Sequence, residues 1–192
     1  MTEALLINAC LQKNMLAQRE LYNLYSPKML GICYRYAYCR EDAEDMLQEG
    51  FVKIFNQLST FENRGSFEGW MKRVIVNTCI NFLKRNKKFN ENLSLDAAYH
   101  VEYKEESVVS KLQGKQIIEC IRLLPIGYRT ILNLNAIEGY SHKEIASLLE
   151  IEESTSRSQL TRAKIVLENI LIKRGIIENT KKAKELALFF GK

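Results

Sequence analysis

Apolar residues recur along this chain at spacings of three and four, which is the pattern of α-helices that bury one face. The fullest stripe lies between residues 42 and 55, at Ala43, Met46, Leu47, Gly50, Phe51, Ile54 and Phe55. Few segments alternate with a period of two, and the 192 residues include only two prolines. The pattern therefore predicts an all-α protein.

A second amphipathic helix is predicted from about Phe67 to Arg85, with Ser66 as its N-cap. Its buried face is predicted to comprise Phe67, Trp70, Met71, Val74, Ile75, Thr78, Cys79, Phe82 and Leu83. Its outward face is predicted to comprise Lys72, Arg73, Val76, Asn77, Ile80, Asn81, Lys84 and Arg85. Cations can hold phosphates and amides can read base edges, so this outward face suits a nucleic acid.

Residues 1–39 also carry apolar groups at helical spacing. We expect Pro27 to open a separate helix there, because proline fits the first turn of a helix and disrupts a helix interior. That helix would continue through Leu30 and Tyr34 to Ala37.

The stretch from Leu134 to Leu167 has the start and stop signals of two helices joined by a tight turn. Gly139 can end one helix in the left-handed conformation, and Ser141 with Glu144 can form a capping box at the start of the next. After Glu152 a longer helix is predicted, with basic residues on its open face. This pattern is typical of a helix-turn-helix that places its second helix in the major groove. The alternative is a plain helical hairpin with a solvated basic face.

Charge is unevenly distributed along the chain, although the net charge of +5 is modest. Residues 72–88 include six basic and no acidic side chains, whereas residues 91–106 include five acidic side chains and one lysine. Segregation of this kind suits a protein that meets phosphate at defined places.

The five cysteines are scattered and form no CxxC pair, so we expect reduced thiols in a reducing compartment. His100 and His142 are too isolated to complete a zinc site, and we expect neither a metal nor another cofactor. The sequence shows no glycine-rich phosphate loop and no paired nucleophile and base, so nothing in it suggests an enzyme. With no visible signal peptide and no apolar run of about 18 residues, a cytoplasmic protein without membrane insertion is expected.

Three segments, taken in order, resemble the two domains of an extracytoplasmic-function (ECF) bacterial sigma factor. They read DAEDMLQEGFVKIF, GSFEGWMKRVIVNTCINFLKR and LPIGYRTILNLNAIEGYSHKEIASLLEIEESTSRSQLTRAK. The resemblance covers about Leu21 to Lys173 and implies two small helical domains joined by a linker. Residues 1–88 would form the region 2-like domain, 89–110 the linker and 111–175 the region 4-like helix-turn-helix. Residues 176–192 would be a C-terminal extension.

The resemblance also implies partners. A sigma factor of this type binds core RNA polymerase through the β′ clamp helices and the β flap, and it recognises and melts promoter DNA. Such proteins are commonly restrained by an anti-sigma factor, often a membrane protein. By analogy, polymerase would contact an acidic strip on the first helix described above, formed by Asp42, Asp45, Gln48 and Glu49.

DNA contacts are implied for three groups of residues. A loop would capture a flipped base of the minus-ten element with Phe61, Asn63 and Ser66. The following helix would hold the upstream edge of the bubble with Lys72, Arg73, Asn77, Asn81, Lys84 and Arg85. The last helix would enter the major groove of the minus-thirty-five element with Thr155, Arg157, Ser158, Thr161 and Arg162.

The turn before this last helix departs from the family pattern at four positions. The family usually has Gly at the position of Glu150, Ser at Glu152, Gly at Ser154 and Val at Ser156. A left-handed conformation at Glu150 would cost about 1–2 kcal/mol. The hydroxyl of Ser156 would need a hydrogen-bond partner to be buried without a penalty. Glu150, Glu152 and Glu153 would also repel phosphates, so we predict a weak minus-thirty-five contact.

Two other classes of function remain open. One is a DNA-binding regulator that uses only the helix-turn-helix, and the other is a sigma-like protein-interaction module that lacks promoter activity. A regulator would not need the acidic strip and the basic helix in succession. The altered turn favours the interaction module.

Overall fold

The computed structural model describes residues 2–62, 64–85 and 113–177, and these residues form helices and turns without a strand. The chain divides into two compact units, Met1–Arg85 and Asn86–Lys192. Unit 1 comprises α1 (Glu3–Leu11), α2 (Met15–Tyr36), α3 (Arg40–Gln57), a short 3-10 turn at Leu58–Thr60, and α4 (Phe67–Lys84). Unit 2 comprises α5 (Gln113–Arg122), α6 (Ile126–Leu132), a π-helical turn at Asn133–Ile137, α7 (His142–Leu149) and α8 (Glu153–Lys173). The all-α prediction is confirmed.

In unit 1, α2, α3 and α4 pack against one another. The buried residues of α3 are Ala43, Met46, Leu47, Gly50, Phe51 and Ile54, which confirms the predicted stripe up to its last position. At Gly50 the helices approach closely, because a Cβ atom there would lie only 2.4 Å from Cδ1 of Ile75 on α4. The absence of a side chain at this position therefore sets the distance between α3 and α4.

The predicted outward face of α4 was wrong at two positions. Val76 and Ile80 are each only 1% exposed. The helix packs against both α2 and α3, so its buried face is wider than the single stripe that the apolar spacing predicted. Trp70, expected in the core, is half-buried.

Pro27 does not open a helix, since α2 runs without interruption from Met15 to Tyr36. Asn14 caps its start by accepting hydrogen bonds from the amides of Leu16 and Ala17. Residues on both sides of the proline, such as Leu21 and Met29, are fully buried on the face that packs against α3 and α4. This continuous packing outweighs the cost of about 3 kcal/mol for a proline in a helix interior.

Unit 2 contains the predicted helix-turn-helix. Gly139 has a φ of 80°, and Ser141 with Glu144 forms the capping box at the start of α7. The buried residues that join α7 to α8 are Ile145, Leu149, Leu160, Ala163 and Leu167. In α5, Cys120 is buried, whereas Ile118 is 38% exposed.

All five cysteines are free thiols, as predicted, and the Sγ atoms of Cys33 and Cys79 lie 3.9 Å apart in the core of unit 1. No helix in the described parts of the chain combines the length and the apolar character needed to span a membrane. The predicted linker at 89–110 lies outside the described residues, as does the C-terminal extension beyond residue 177.

Candidate functional site

The acidic strip lies on the open side of α3, which the buried stripe leaves facing solvent. Asp45 and Gln48 are exposed, whereas Asp42 and Glu49 are half-buried. The amide of Asp42 donates to Sγ of Cys39, the N-cap of the helix. The strip therefore presents two exposed side chains and two half-buried ones, of which Glu49 is already engaged.

Glu49 accepts hydrogen bonds from two cations. Nζ of Lys53 lies 2.8 Å from its Oε1 atom, and Nη2 of Arg85 lies 2.6 Å from its Oε2 atom. Burial acts to raise the pKa of Glu49, but the hydrogen bonds from Lys53 and Arg85 outweigh burial, so this pKa lies below its ordinary value. Glu49 is thus held ionised at neutral pH, between two positive charges.

Arg85 is the C-cap of α4, and its guanidinium also lies 5.4 Å from the centre of the Phe82 ring. The predicted polymerase strip and the predicted DNA-binding face therefore meet at the contact between Arg85 and Glu49. Sequence spacing alone did not indicate this contact, because 36 residues separate the two side chains.

Further along α4, the predicted DNA-binding face carries accessible cations and amides. Arg73 and Asn81 are exposed, and Lys84 is half-buried. Lys72 forms an ion pair with Glu68 at 2.8 Å, and Glu68 also accepts a hydrogen bond from Lys28 of α2 at 2.5 Å. Hydrogen bonds from Lys28 and Lys72 lower the pKa of Glu68. The positive charge of Lys72 is therefore partly compensated, while Arg73 makes no ion pair within the described part of unit 1.

Asn77 is half-buried in the middle of this face. Its Oδ1 atom is buried and has no hydrogen-bond partner among the described residues. An unsatisfied buried acceptor costs about 1–3 kcal/mol. Because this atom is shielded from solvent, a donor on the open face of α4 reaches it only if the Asn77 side chain turns outward.

The loop before α4 is organised by a cap and by aromatic packing. Oγ of Ser66 accepts a hydrogen bond from the amide of Gly69 at 3.1 Å, which confirms the predicted N-cap. The ring of Phe61 packs 5.1 Å from that of Phe67 and 5.7 Å from that of Trp70. Phe61 and Ser66 thus both have structural partners, and Asn63 lies outside the described residues.

On α8, the residues predicted for the major groove share one side of the helix. Arg157, Ser158, Thr161 and Arg162 are exposed, and Thr155 is half-buried. Arg157 forms an ion pair with Glu153 one turn earlier. The hydroxyls of Ser158 and Thr161 donate to the carbonyl oxygens of Thr155 and Arg157, each at 3.1 Å.

Ile165 was not predicted for this surface, yet it is 53% exposed one turn after Thr161. The sequence feature that could have identified Ile165 is its position four residues after Thr161, which places both side chains on the same face of α8.

The turn between α7 and α8 accommodates two of the departures from the family pattern, Glu150 and Ser156. Glu150 adopts the left-handed conformation, with φ 58° and ψ 45°. Ser156 is fully buried, and its Oγ atom lies 2.9 Å from Nδ1 of His142. The buried hydroxyl therefore has the partner that its burial requires. From the sequence, His142 was considered only as a zinc ligand and was rejected as too isolated, so this structural role was missed.

Comparisons with known proteins give the same pair of regions. Residues 21–89 match the family described as Sigma-70 region 2, and residues 114–167 match the family described as Sigma-70, region 4. Together these matches cover more than half of the chain.

Two characterised relatives are similar over most of their length. The ECF RNA polymerase sigma-E factor of Haemophilus influenzae is 28% identical over 184 residues, which cover 88% of this chain and 97% of that protein. The RNA polymerase sigma-H factor of Pseudomonas aeruginosa is 27% identical over 158 residues, which cover 77% of this chain and 82% of that protein.

Among solved structures, the sigma factor RpoE in complex with the anti-sigma factor NepR from Bartonella quintana aligns with a TM-score of 0.49. The alignment has 17% sequence identity and covers 80% of this chain and 95% of the other.

Proposed function

This chain belongs to the sigma-70 family as an extracytoplasmic-function sigma factor of RNA polymerase, and we propose that its two units recognise separate parts of one promoter. As a sigma factor it binds core RNA polymerase and promoter DNA and directs the initiation of transcription. The observation that carries this conclusion is the presence of both sigma regions, in order, in one chain.

In unit 1, the acidic strip of α3 is the proposed contact with the β′ clamp helices of polymerase. The exposure of Asp45 and Gln48 supports this proposal, because both side chains can reach a partner without a change in the core. A carboxylate surface of this kind suits a basic partner surface.

The open face of α4 is the proposed contact with the minus-ten element. It presents Lys72, Arg73, Asn77, Asn81, Lys84 and Arg85, which combine phosphate-binding cations with base-reading amides. The unpartnered acceptor of Asn77 supports a role in base recognition, since the side chain would lose no hydrogen bond to Oδ1 when it turns toward a base amino group. Phe61, Asn63 and Ser66 remain the proposed residues of the base-capturing loop.

In unit 2, α8 is the proposed reader of the minus-thirty-five element, through Thr155, Arg157, Ser158, Thr161 and Arg162. The exposure of the last four residues supports the proposal. We also propose that unit 2 contacts the β flap. Glu153 competes with DNA phosphates for Arg157, which supports a weak minus-thirty-five contact that depends on polymerase.

The division into a region 2-like domain at 1–88, a linker at 89–110 and a region 4-like domain at 111–175 is part of the proposal. Regulation by an anti-sigma factor is proposed from the family, as is a cytoplasmic location beside RNA polymerase. Phosphodiester bond formation would belong to polymerase, and we propose that this chain contributes no catalysis and binds no cofactor.

Reconstitution with purified core polymerase tests the proposed function. The full chain is expected to bind core polymerase and to direct transcription from start sites that are mapped after its overproduction. A DNA-binding regulator would not bind core polymerase, and a sigma-like interaction module would bind it without directing initiation. Either result would overturn the proposal.

A matched pair of variants locates the polymerase contact. Asp45→Arg reverses a charge in the acidic strip, whereas Glu20→Arg makes the same change at an exposed position of α2 outside the strip. Core binding should be lost only with Asp45→Arg. Equal losses of core binding with the two substitutions would show that the acidic strip is not the polymerase contact.

A further inference from the structure

The ion pair between Glu49 and Arg85 links two side chains that the proposed function assigns to different partners. Glu49 belongs to the polymerase strip of α3, and Arg85 belongs to the minus-ten face of α4. Their closest atoms, Oε2 of Glu49 and Nη2 of Arg85, lie 2.6 Å apart. In this position the guanidinium of Arg85 directs its N–H donors to the carboxylate of Glu49. A promoter phosphate would need the same donors.

The exposure of the pair shows how it can open. The Arg85 side chain is 61% exposed, whereas that of Glu49 is 30% exposed. Arg85 also follows the last residue of α4, so it can turn toward solvent without disturbing the core. Glu49 would stay beside Lys53, which continues to compensate its charge. Opening the pair therefore leaves no buried carboxylate without a cation.

We propose that Glu49 holds Arg85 away from DNA in the free protein and that a cationic side chain of core polymerase releases Arg85 by engaging Glu49. The inference rests on the proposed function, which assigns Glu49 to polymerase and Arg85 to promoter DNA. Released Arg85 binds a backbone phosphate near the upstream edge of the melted region. Because each partner opens the same ion pair, core polymerase and DNA strengthen one another's binding.

The size of this coupling follows from the exposure of the pair. Solvent-exposed ion pairs contribute about 0.2–1 kcal/mol, which corresponds to a change of up to about fivefold in a binding constant. A coupling of about twofold to fivefold is therefore expected. It would make the affinity of the protein for DNA higher when core polymerase is bound than when it is absent.

Glu44 offers a matched control. It also lies on α3 and forms an ion pair with an arginine, Nε of Arg40, at 2.7 Å. Neither residue belongs to a proposed contact surface. Glu44→Gln therefore removes the same charge as Glu49→Gln together with one arginine ion pair within α3, without affecting Arg85 or Lys53.

The first experiment measures binding of the full chain, without polymerase, to a fluorescein-labelled fork DNA of mixed sequence by fluorescence anisotropy. Phosphate contacts are independent of sequence, so this probe suffices. Glu49→Gln should raise affinity by about twofold to fivefold more than Glu44→Gln does. The additional gain should disappear when Arg85→Gln is also present. A gain that persists in the Arg85→Gln background, or no gain beyond the control, would overturn the inference.

The second experiment measures the reciprocal effect on core polymerase. Arg85→Gln frees Glu49 and should strengthen core binding in the absence of DNA by about twofold to fivefold. An unchanged or lower affinity of this variant for core polymerase would overturn the inference. The wild-type chain reports separately on the proposed function, because failure to bind core polymerase or to initiate would refute that function whatever the variants do.

Discussion

The Oγ atom of Ser156 lies 2.9 Å from Nδ1 of His142, and this hydrogen bond joins the first turn of α7 to the first turn of α8. Ser156 is fully buried, so His142 supplies a partner that water cannot replace. The contact fixes the start of the proposed recognition helix against the helix that supports it. In this chain the buried Ser156 therefore depends on His142.

We expect His142→Leu to destabilise the pairing of α7 and α8 by about 1–3 kcal/mol, because it leaves the buried hydroxyl of Ser156 without a partner. Ser156→Val should remove this dependence, so the double variant should lose much less than the sum of the single losses. Native-state hydrogen exchange of α7 and α8 amides measures both effects. Additive losses would show that the two side chains do not act as a pair.

The stability of unit 2 should depend on pH through His142. Burial lowers the pKa of His142 below its ordinary value of 6.5, with a further lowering by Arg157 and an opposing effect of Glu153. Protons bind more readily to the unfolded chain, so this stability is fully present above about pH 6.5 and is lost as pH falls through the lowered pKa.

The measurement is hydrogen exchange of α7 and α8 amides between neutral and mildly acidic pH, corrected for intrinsic rates. Protection should fall toward acidic pH in the wild-type chain, and this dependence should be smaller in His142→Gln. The amides of α3 in unit 1 serve as an internal control. Identical pH profiles for wild type and variant would contradict the prediction.

Gly50→Ala should destabilise unit 1 by about 1–3 kcal/mol, since the added methyl group must displace packed atoms. A Cβ atom there would lie 2.4 Å from Cδ1 of Ile75. Gly31 is the matched control, because a Cβ atom at this exposed position of α2 meets nothing within 4 Å. Gly31→Ala should instead stabilise by up to about 1 kcal/mol, the helix propensity difference. Urea unfolding followed by the fluorescence of Trp70 reports on both variants.

Asn77→Leu should reduce promoter opening without lowering the stability of unit 1. The substitution removes a buried acceptor that has no partner in the described part of the chain, so no hydrogen bond to that acceptor is lost. Trp70 fluorescence in urea measures stability, and permanganate reactivity of promoter thymines in the reconstituted complex measures opening. Asn23→Leu, at an exposed position of α2, should leave opening unchanged. Normal opening by Asn77→Leu would remove Asn77 from the minus-ten contact.

Local chemistry made much of this fold predictable. The capping box of Ser141 and Glu144, the left-handed Gly139 and the Ser66 cap each involve residues within a few positions of one another, and all appear as predicted. The apolar period of α3 likewise depends only on helical geometry. Motif order then identified the family, because both sigma regions occur in a single chain.

The errors share one cause, which is packing between elements distant in sequence. Val76 and Ile80 are buried because α4 meets two helices, and α2 continues through Pro27 because packing on both sides of the proline outweighs its cost. Helical spacing cannot tell how many neighbours a helix has. It also cannot place a histidine against a serine of another helix.

The amino-acid sequence was thus sufficient for α3, α4 and the helix-turn-helix, for the caps at Ser66 and Ser141 and for the family, since these depend on neighbouring residues and on motif order. Tertiary structure alone decided which side chains meet, including Arg85 with Glu49 and His142 with Ser156. Those contacts form only when separate helices pack against each other. The chemistry of one side chain does not determine which distant side chain it will meet.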